Sequence, residues 1–188
     1  MSLPPFTLDR DRDLVLCIDV QERFLPAIPA IAPGEPVGRR LGQLLAGAAL
    51  LGVRRVLSEQ VPAKLGATLP HLRAAAAQAP VLAKQAFSAA AEPALAAELD
   101  RDPGAAIVLA GIEAHICVLA TAADLRARGR RVLVAGDAIA ARDPAHAVQA
   151  ATALRDLGCL VIPVESLLFR WQGVASGDTF RALSALVR

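Results

Sequence analysis

The chain has 188 residues, of which 55% are hydrophobic and 20% charged, with a formal net charge of +2. That is enough apolar chain for one sizeable core, and too much for a disordered segment. The near balance of charge, with only 3% aromatic residues, argues against a nucleic-acid partner or a base-stacking platform.

Three widely separated cysteines, Cys17, Cys117 and Cys159, form no CxxC pair, so neither a disulfide framework nor a zinc knuckle is expected. Met1 to Asp13 lacks an apolar signal core, and no long apolar run follows. The expectation is a cytoplasmic protein without a membrane span. Only two lysines, Lys64 and Lys84, stand against many arginines. A lysine kept against that bias offers a compact point charge that arginine cannot.

In chain order, Leu14 to Asp19 is an apolar run ending in an acid and reads as a first strand. Continuous apolar strands suit a parallel sheet covered on both faces. Val20 to Pro36 is a proline-rich connection. Pro36–Leu51 reads as a helix with Leu41, Leu44, Leu45 and Ala48 on its buried stripe, closed by Gly52. Val53–Ser58 is the second strand and Glu59 to Thr68 a loop. Leu69 to Ala77 is a short helix and Ala79–Leu82 a third strand, with Lys84 just beyond it. Pro93–Leu99 is helical and Ala105–Ala110 is the fourth strand.

Gly111 to Val118 comes next, and then a helix to about Arg128, capped by Gly129. Arg131–Ala135 is the fifth strand. Asp143-Pro144 opens a helix that runs to Leu157. Cys159–Ile162 is the sixth strand. Helices are expected at 166–171 and 177–187. Strands alternating with helices imply an α/β fold, a three-layer α/β/α (Rossmann-like) architecture with a central parallel sheet of about six strands. No linker divides it, so residues 1–188 read as one domain.

Asp19, Lys84 and Cys117 all fall at carboxyl ends of strands, the edge where open α/β sheets bind ligands. A helix N-terminus after Gly111 to Ala114 would favour a Cys117 thiolate. Asp19 could accept the thiol proton and return it to a leaving group. Lys84 could stabilise the thiolate and hold the aspartate, and turn N–H groups could bind an oxyanion. Read one at a time, Cys117 could be a small core residue, Asp19 a cap and Lys84 a solvated cation. Cys17 and Cys159 fall inside strands and read as core.

Asp19-Val20-Gln21 with Phe24, Lys84 with Phe87-Ser88-Ala89, and Gly111-Ile112-Glu113-Ala114-His115-Ile116-Cys117-Val118 resemble segments of the isochorismatase-like cysteine hydrolase superfamily. So do Asp137-Ala138 and Glu165-Ser166. Within it, the isochorismatase-domain proteins and YcaC-type hydrolases are most similar. The resemblance implies a catalytic triad of Asp19, Lys84 and Cys117. It implies a cis peptide at Ile112–Glu113 that aims oxyanion donors, a substrate pocket including Gln21 and Phe24, and a homo-oligomer. No cofactor is expected.

The stretch Ser58 to Thr68 has no histidine and one carboxylate, whereas nicotinamidases of the superfamily carry metal-binding histidines there. No metal is therefore expected. The function implied is a metal-independent cysteine hydrolase of a small amide-like (C–N) substrate, working through a thioester. The alternatives are an isochorismatase-type vinyl ether hydrolase, which could dispense with Cys117, and a non-catalytic scaffold on the same fold. His115 is read as structural or at the pocket rim, Glu113 as important for its backbone, and Trp171 as packing or a subunit contact. Asp137 and Asp143 are read as caps of the next turn and the next helix.

Overall fold

The computed structural model describes residues 6–188. The first five residues of the expected domain, and of the expected leaderless N-terminus, lie outside it. Six strands form one sheet: β1 (Leu14–Ile18), β2 (Arg54–Gln60), β3 (Val81–Lys84), β4 (Ala106–Ile112), β5 (Arg131–Ala140) and β6 (Leu160–Ile162). Their order is β3-β2-β1-β4-β5-β6 and every pairing is parallel. The helices are α1 (Pro36–Leu51), α2 (Pro62–Leu65), α3 (Pro70–Ala75), α4 (Pro93–Leu99), α5 (Leu119–Ala127), α6 (Pro144–Asp156), α7 (Val164–Gln172) and α8 (Gly177–Leu186). The α/β reading holds, and no helix among the described residues is long and apolar enough to cross a membrane.

The pleat of β1 explains why its sequence has no polar alternation. Val15 and Cys17 pack into one core, with residues from α1, α3, α7 and α8. Leu14, Leu16 and Ile18 pack into the other, with residues from α4, α5 and α6. Both faces are covered, so both must be apolar. Helix α1 starts with Pro36 at its first position and stops at Gly52, whose φ of +78° is open to glycine without a Cβ penalty. Leu41, Leu44, Leu45 and Ala48 are all fully buried on one stripe. Each of those leucines contributes roughly 1.5–3 kcal/mol on leaving water.

Several boundaries differ from expectation. β2 runs on to Gln60, two residues further, and pairs Gln60 with Lys84 at the end of β3. Lys84 is thus the last residue of a strand rather than a loop residue. β5 continues past Ala135 to Ala140 through a register shift opposite Leu109 and Gly111, so Gly136-Asp137-Ala138 is a bulged strand. Short α2 occupies part of the expected Glu59 to Thr68 loop.

The strand order turns between β1 and β4: the chain winds outward from β1 to β3, then returns to β4 and winds the other way. At such a switch point the loops leaving the two central strands part and open a crevice. Asp19 follows β1 and Cys117 follows β4, so the fold delivers both to that crevice.

Candidate active site

Asp19, Lys84 and Cys117 meet at the carboxyl edge although 98 residues of sequence separate the first from the last. Lys84 Nζ lies 2.7 Å from Asp19 Oδ2, with both side chains almost wholly buried. The charges of both groups act on the Cys117 thiol, in opposite directions. Asp19 sits at φ +55°, a left-handed conformation sparsely used by residues other than glycine, asparagine and aspartate. That turn brings its carboxylate off the end of β1 toward Ser58, whose Oγ donates to Oδ1 at 2.7 Å. Oδ2 lies against the lysine but has no well-aligned donor. One acceptor position on Asp19 is therefore free to take a proton.

Lys84 is buried in a ring of oxygens. Besides Asp19, Nζ donates to Gln60 Oε1 (2.5 Å), Ala86 O (3.0 Å) and Phe87 O (3.1 Å). Four acceptors for three N–H bonds hold the group as an ammonium and fix where it points. Two of them are carbonyls of its own following loop, which folds the chain back over it.

The Cys117 segment departs from the sequence reading. Gly111 ends the regular part of β4 at φ +115°, where a Cβ would lie 2.2 Å from Ile18 O. The Ile112–Glu113 peptide is cis. Ala114–Val118 then forms one π-helical turn ahead of α5. Glu113 O accepts from the N–H groups of Ile116 (3.0 Å) and Val118 (3.3 Å), passing over Cys117 between them.

The expected thiolate is corrected: burial first, then the Asp19 charge, push the Cys117 thiol up to about 12, against a weaker downward pull from Lys84. Cys17 is likewise pushed up to about 12 and Cys159 to about 11, chiefly by burial. Acidity does not distinguish Cys117. Its partners do.

The remaining expected residues divide. Gln21 is fully buried, and its amide is committed to the neighbouring loop. Oε1 accepts from Gln60 N (2.8 Å), while Nε2 donates to Gly66 O (2.6 Å) and Gln60 O (3.2 Å). It braces the loop beside the site. Phe24 is half-buried against the core on that side. Glu113 has a role for its side chain too: it is buried and accepts from the Arg142 main-chain N–H (3.0 Å) and Nε (3.2 Å).

His115 stacks on His146 with ring centroids 4.7 Å apart. Asp143 caps α6 as expected, but Asp137 caps α7 instead of the next turn, accepting from Val164 N at 2.8 Å. Trp171 Nε1 donates to Asp13 Oδ2 (2.9 Å), which makes it a packing residue of this chain.

Three participants were missed. Ser58 closes the Val53–Ser58 run of the sequence, the same kind of position that marks Asp19, although β2 continues past it. Gln60 looks like a loop amide. Thr121 sits inside α5, fully buried; its hydroxyl donates to Cys117 O (2.7 Å) and accepts from Ala89 N (2.9 Å), tying the Cys117 turn to the loop that follows Lys84.

In the Ser58 to Thr68 stretch the one carboxylate, Glu59, accepts from Thr68 N and Oγ1. Its donor set does not fit a metal ion, and no group of three or more His, Cys, Asp or Glu residues suited to one occurs among the described residues.

A six-stranded parallel sheet of this order, covered by helices on both faces, is the three-layer α/β/α class of fold. The chain belongs to the isochorismatase-like hydrolase family: the isochorismatase domain matches residues 13–166. It is 35% identical over 173 residues to isochorismatase domain-containing protein 1 of Danio rerio, a match covering 92% of this chain and 59% of that protein. The chain thus spans about 59% of that relative's length.

Among solved structures, the MAR1 ribonuclease from Caenorhabditis elegans superposes with a TM-score of 0.86 at 27% identity, covering 96% of this chain and 92% of that one. The YcaC gene product of Escherichia coli, an octameric hydrolase of unknown specificity, superposes at 0.88 with 18% identity, covering 98% and 92%. At that identity the likeness is one of fold.

Proposed function

We propose that this protein hydrolyses a small amide-like C–N bond through a covalent Cys117 thioester, with Asp19 as the general acid–base and Lys84 as the fixed cation. The carrying observation is the buried Asp19–Lys84 pair, 2.7 Å apart, at the carboxyl edge that also carries Cys117. A neutral cluster of carboxylate, ammonium and thiol needs no free thiolate at rest. As Sγ attacks the acyl carbon, its proton passes to the free acceptor position of Asp19, and the carbonyl oxygen becomes an oxyanion. The N–H groups of Glu113 and Cys117 receive that oxyanion in this reading. Collapse breaks the C–N bond, and Asp19 returns the proton to the departing amine. Water then attacks the thioester, gives its proton to Asp19, and the acid leaves as the thiol is restored. No step passes through a metal.

The whole chain acts as one domain in this reading, in the cytoplasm and as a homo-oligomer; the octameric YcaC supports the last point. The test is a panel of small amides, ureas and vinyl ethers. An RNA oligonucleotide is included because the worm relative is named a ribonuclease. Turnover of an amide, lost in Cys117→Ala and accompanied by an acyl adduct on Cys117 in the mass spectrum, is expected. Undiminished turnover in Cys117→Ala overturns the covalent mechanism and points to vinyl ether chemistry.

A further inference from the structure

The closest neutral partner of the buried ammonium is Gln60, and its amide has no freedom left. Oε1 accepts from Lys84 Nζ at 2.5 Å, while Nε2 donates to Gln85 O at 2.7 Å. An ammonium can only donate and a carbonyl can only accept, so these two partners fix which end of the amide points where. The main chain of Gln60 is held equally firmly. Its N–H donates to Gln21 Oε1 and its carbonyl accepts from Gln21 Nε2. The next residue, Val61, is held at φ +38°, where a β-branched residue is strained, and its N–H donates to Lys84 O at 2.9 Å. Gln21, Gln60 and Lys84 thus form one buried run of hydrogen bonds, and the Lys84–Asp19 ion pair extends it to the carboxylate whose charge acts on the thiol.

We propose that Gln60 is a positioning residue that sets the charge felt by Cys117: as a neutral acceptor it fixes Lys84 without giving it a second counter-charge. A carboxylate at this position would pair with the same ammonium and leave the cluster net negative, opposing thiolate formation. An apolar side chain would remove the nearest of the four oxygens around the ammonium, lessening the competition for its charge and favouring the thiolate. The two substitutions act in opposite directions, whereas mere damage to the fold would act in one. The inference rests on the proposed Asp19–Lys84–Cys117 site but concerns ionisation at Cys117, which can be read without turnover.

The experiment is the rate of Cys117 carbamidomethylation by iodoacetamide at pH 9, followed by peptide mass spectrometry, with Cys159 as the internal reference and melting temperature as the check on folding. At that pH the rate tracks the thiolate fraction. Gln60→Glu is expected to slow Cys117 about tenfold or more, and Gln60→Met to speed it several-fold, with Cys159 unchanged in both. Equal rates, or shifts of the same sign in the two variants, overturn the proposal. If Gln60→Glu does not fold, Gln60→Met decides alone by the sign of its shift. Loss of turnover in Cys117→Ala bears on the hydrolase reading and leaves this result untouched.

Discussion

Two aspartates lie just outside the two ends of β1, six positions apart, and both are about 1% exposed. Asp13, at the amino edge, is saturated by neutral donors: Oδ1 accepts from Ala106 N (2.8 Å), and Oδ2 from Asp9 N (2.8 Å) and Trp171 Nε1 (2.9 Å). Asp19, at the carboxyl edge, has one neutral donor and an off-axis ammonium. Burial is the same in the two places, so burial does not make a carboxylate reactive. What differs is whether its lone pairs are already spent. Asp13 ties the N-terminal segment, β4 and α7 together. Asp19 keeps a lone pair in a place where a proton is offered.

The sharpest way to break this contrast is to remove each charge in turn. Asp19→Asn removes the proton acceptor and should cut amide turnover by about 10²–10⁴-fold. It should also raise the alkylation rate of Cys117, because the Asp19 charge is one of the causes holding that thiol up. Slower alkylation together with lost turnover would mean that Asp19 promotes the thiolate rather than opposing it. Asp13→Ala should do the reverse. It strands two buried donors, Ala106 N–H and Trp171 Nε1–H, and should lower unfolding free energy by about 3 kcal/mol in a urea titration, while Cys117 alkylates at the wild-type rate. A change in that rate would show that the two ends of β1 are not independent.

Much of the architecture was legible because apolar runs and terminators are local signals. Pro36 and Gly52 bracket α1, and Pro93–Leu99 is the observed α4, because proline at the first position and a left-handed glycine after the last act through backbone geometry alone. The β5 extension was hidden because its bulge carries Gly136 and Asp137, residues that ordinarily end strands. At the site, Asp19, Lys84 and Cys117 were visible as chemically loaded residues at strand ends. Gln60 and Thr121 were not, since a neutral amide and a helix hydroxyl gain their meaning only from partners 24 and 32 positions away. The ionisation of Cys117 was misjudged for a related reason. Helix position is readable in sequence, but burial beside Asp19 is not, and burial and that charge push the thiol up.

A second pair of sites sharpens the role of backbone shape. Gly111→Ala would drive a Cβ to within 2.2 Å of Ile18 O at φ +115°, where backbone meets backbone and nothing flexible can yield. It should cost about 3 kcal/mol and disturb the turn that carries Cys117. Gly52→Ala meets open space at its Cβ and carries only the positive-φ penalty, about 1 kcal/mol. Equal losses in denaturant titrations would mean that the close approach of β4 to β1 is not what demands glycine at 111. Between these in subtlety lies Thr121→Val, which leaves the Ala89 N–H unpaired and should cost about 1–3 kcal/mol, with Thr121→Ser restoring most of it.

The remaining test is one of pH, and it bears on the claim that burial treats all three thiols alike. Their folded-state pKa values of about 12, 12 and 11 for Cys17, Cys117 and Cys159 lie above the ordinary value of 9.0. Below about pH 9 both folded and unfolded chains keep these thiols protonated, and the favourable contribution is fully present. As pH rises from 9 toward 12 the unfolded chain releases its protons while the folded one retains them, so stability is lost. The loss is about 1.4 kcal/mol per pH unit for each thiol still protonated only in the folded state. Melting temperature should therefore fall between pH 9 and 11, and fall less steeply in a Cys17→Ala/Cys159→Ala double variant. The residual slope in that variant belongs to Cys117 and should flatten further in Cys117→Ala. Parallel slopes in all the variants would place the alkaline loss elsewhere in the chain, and would remove the ground for treating Cys117 as a resting thiol that waits for Asp19 to take its proton.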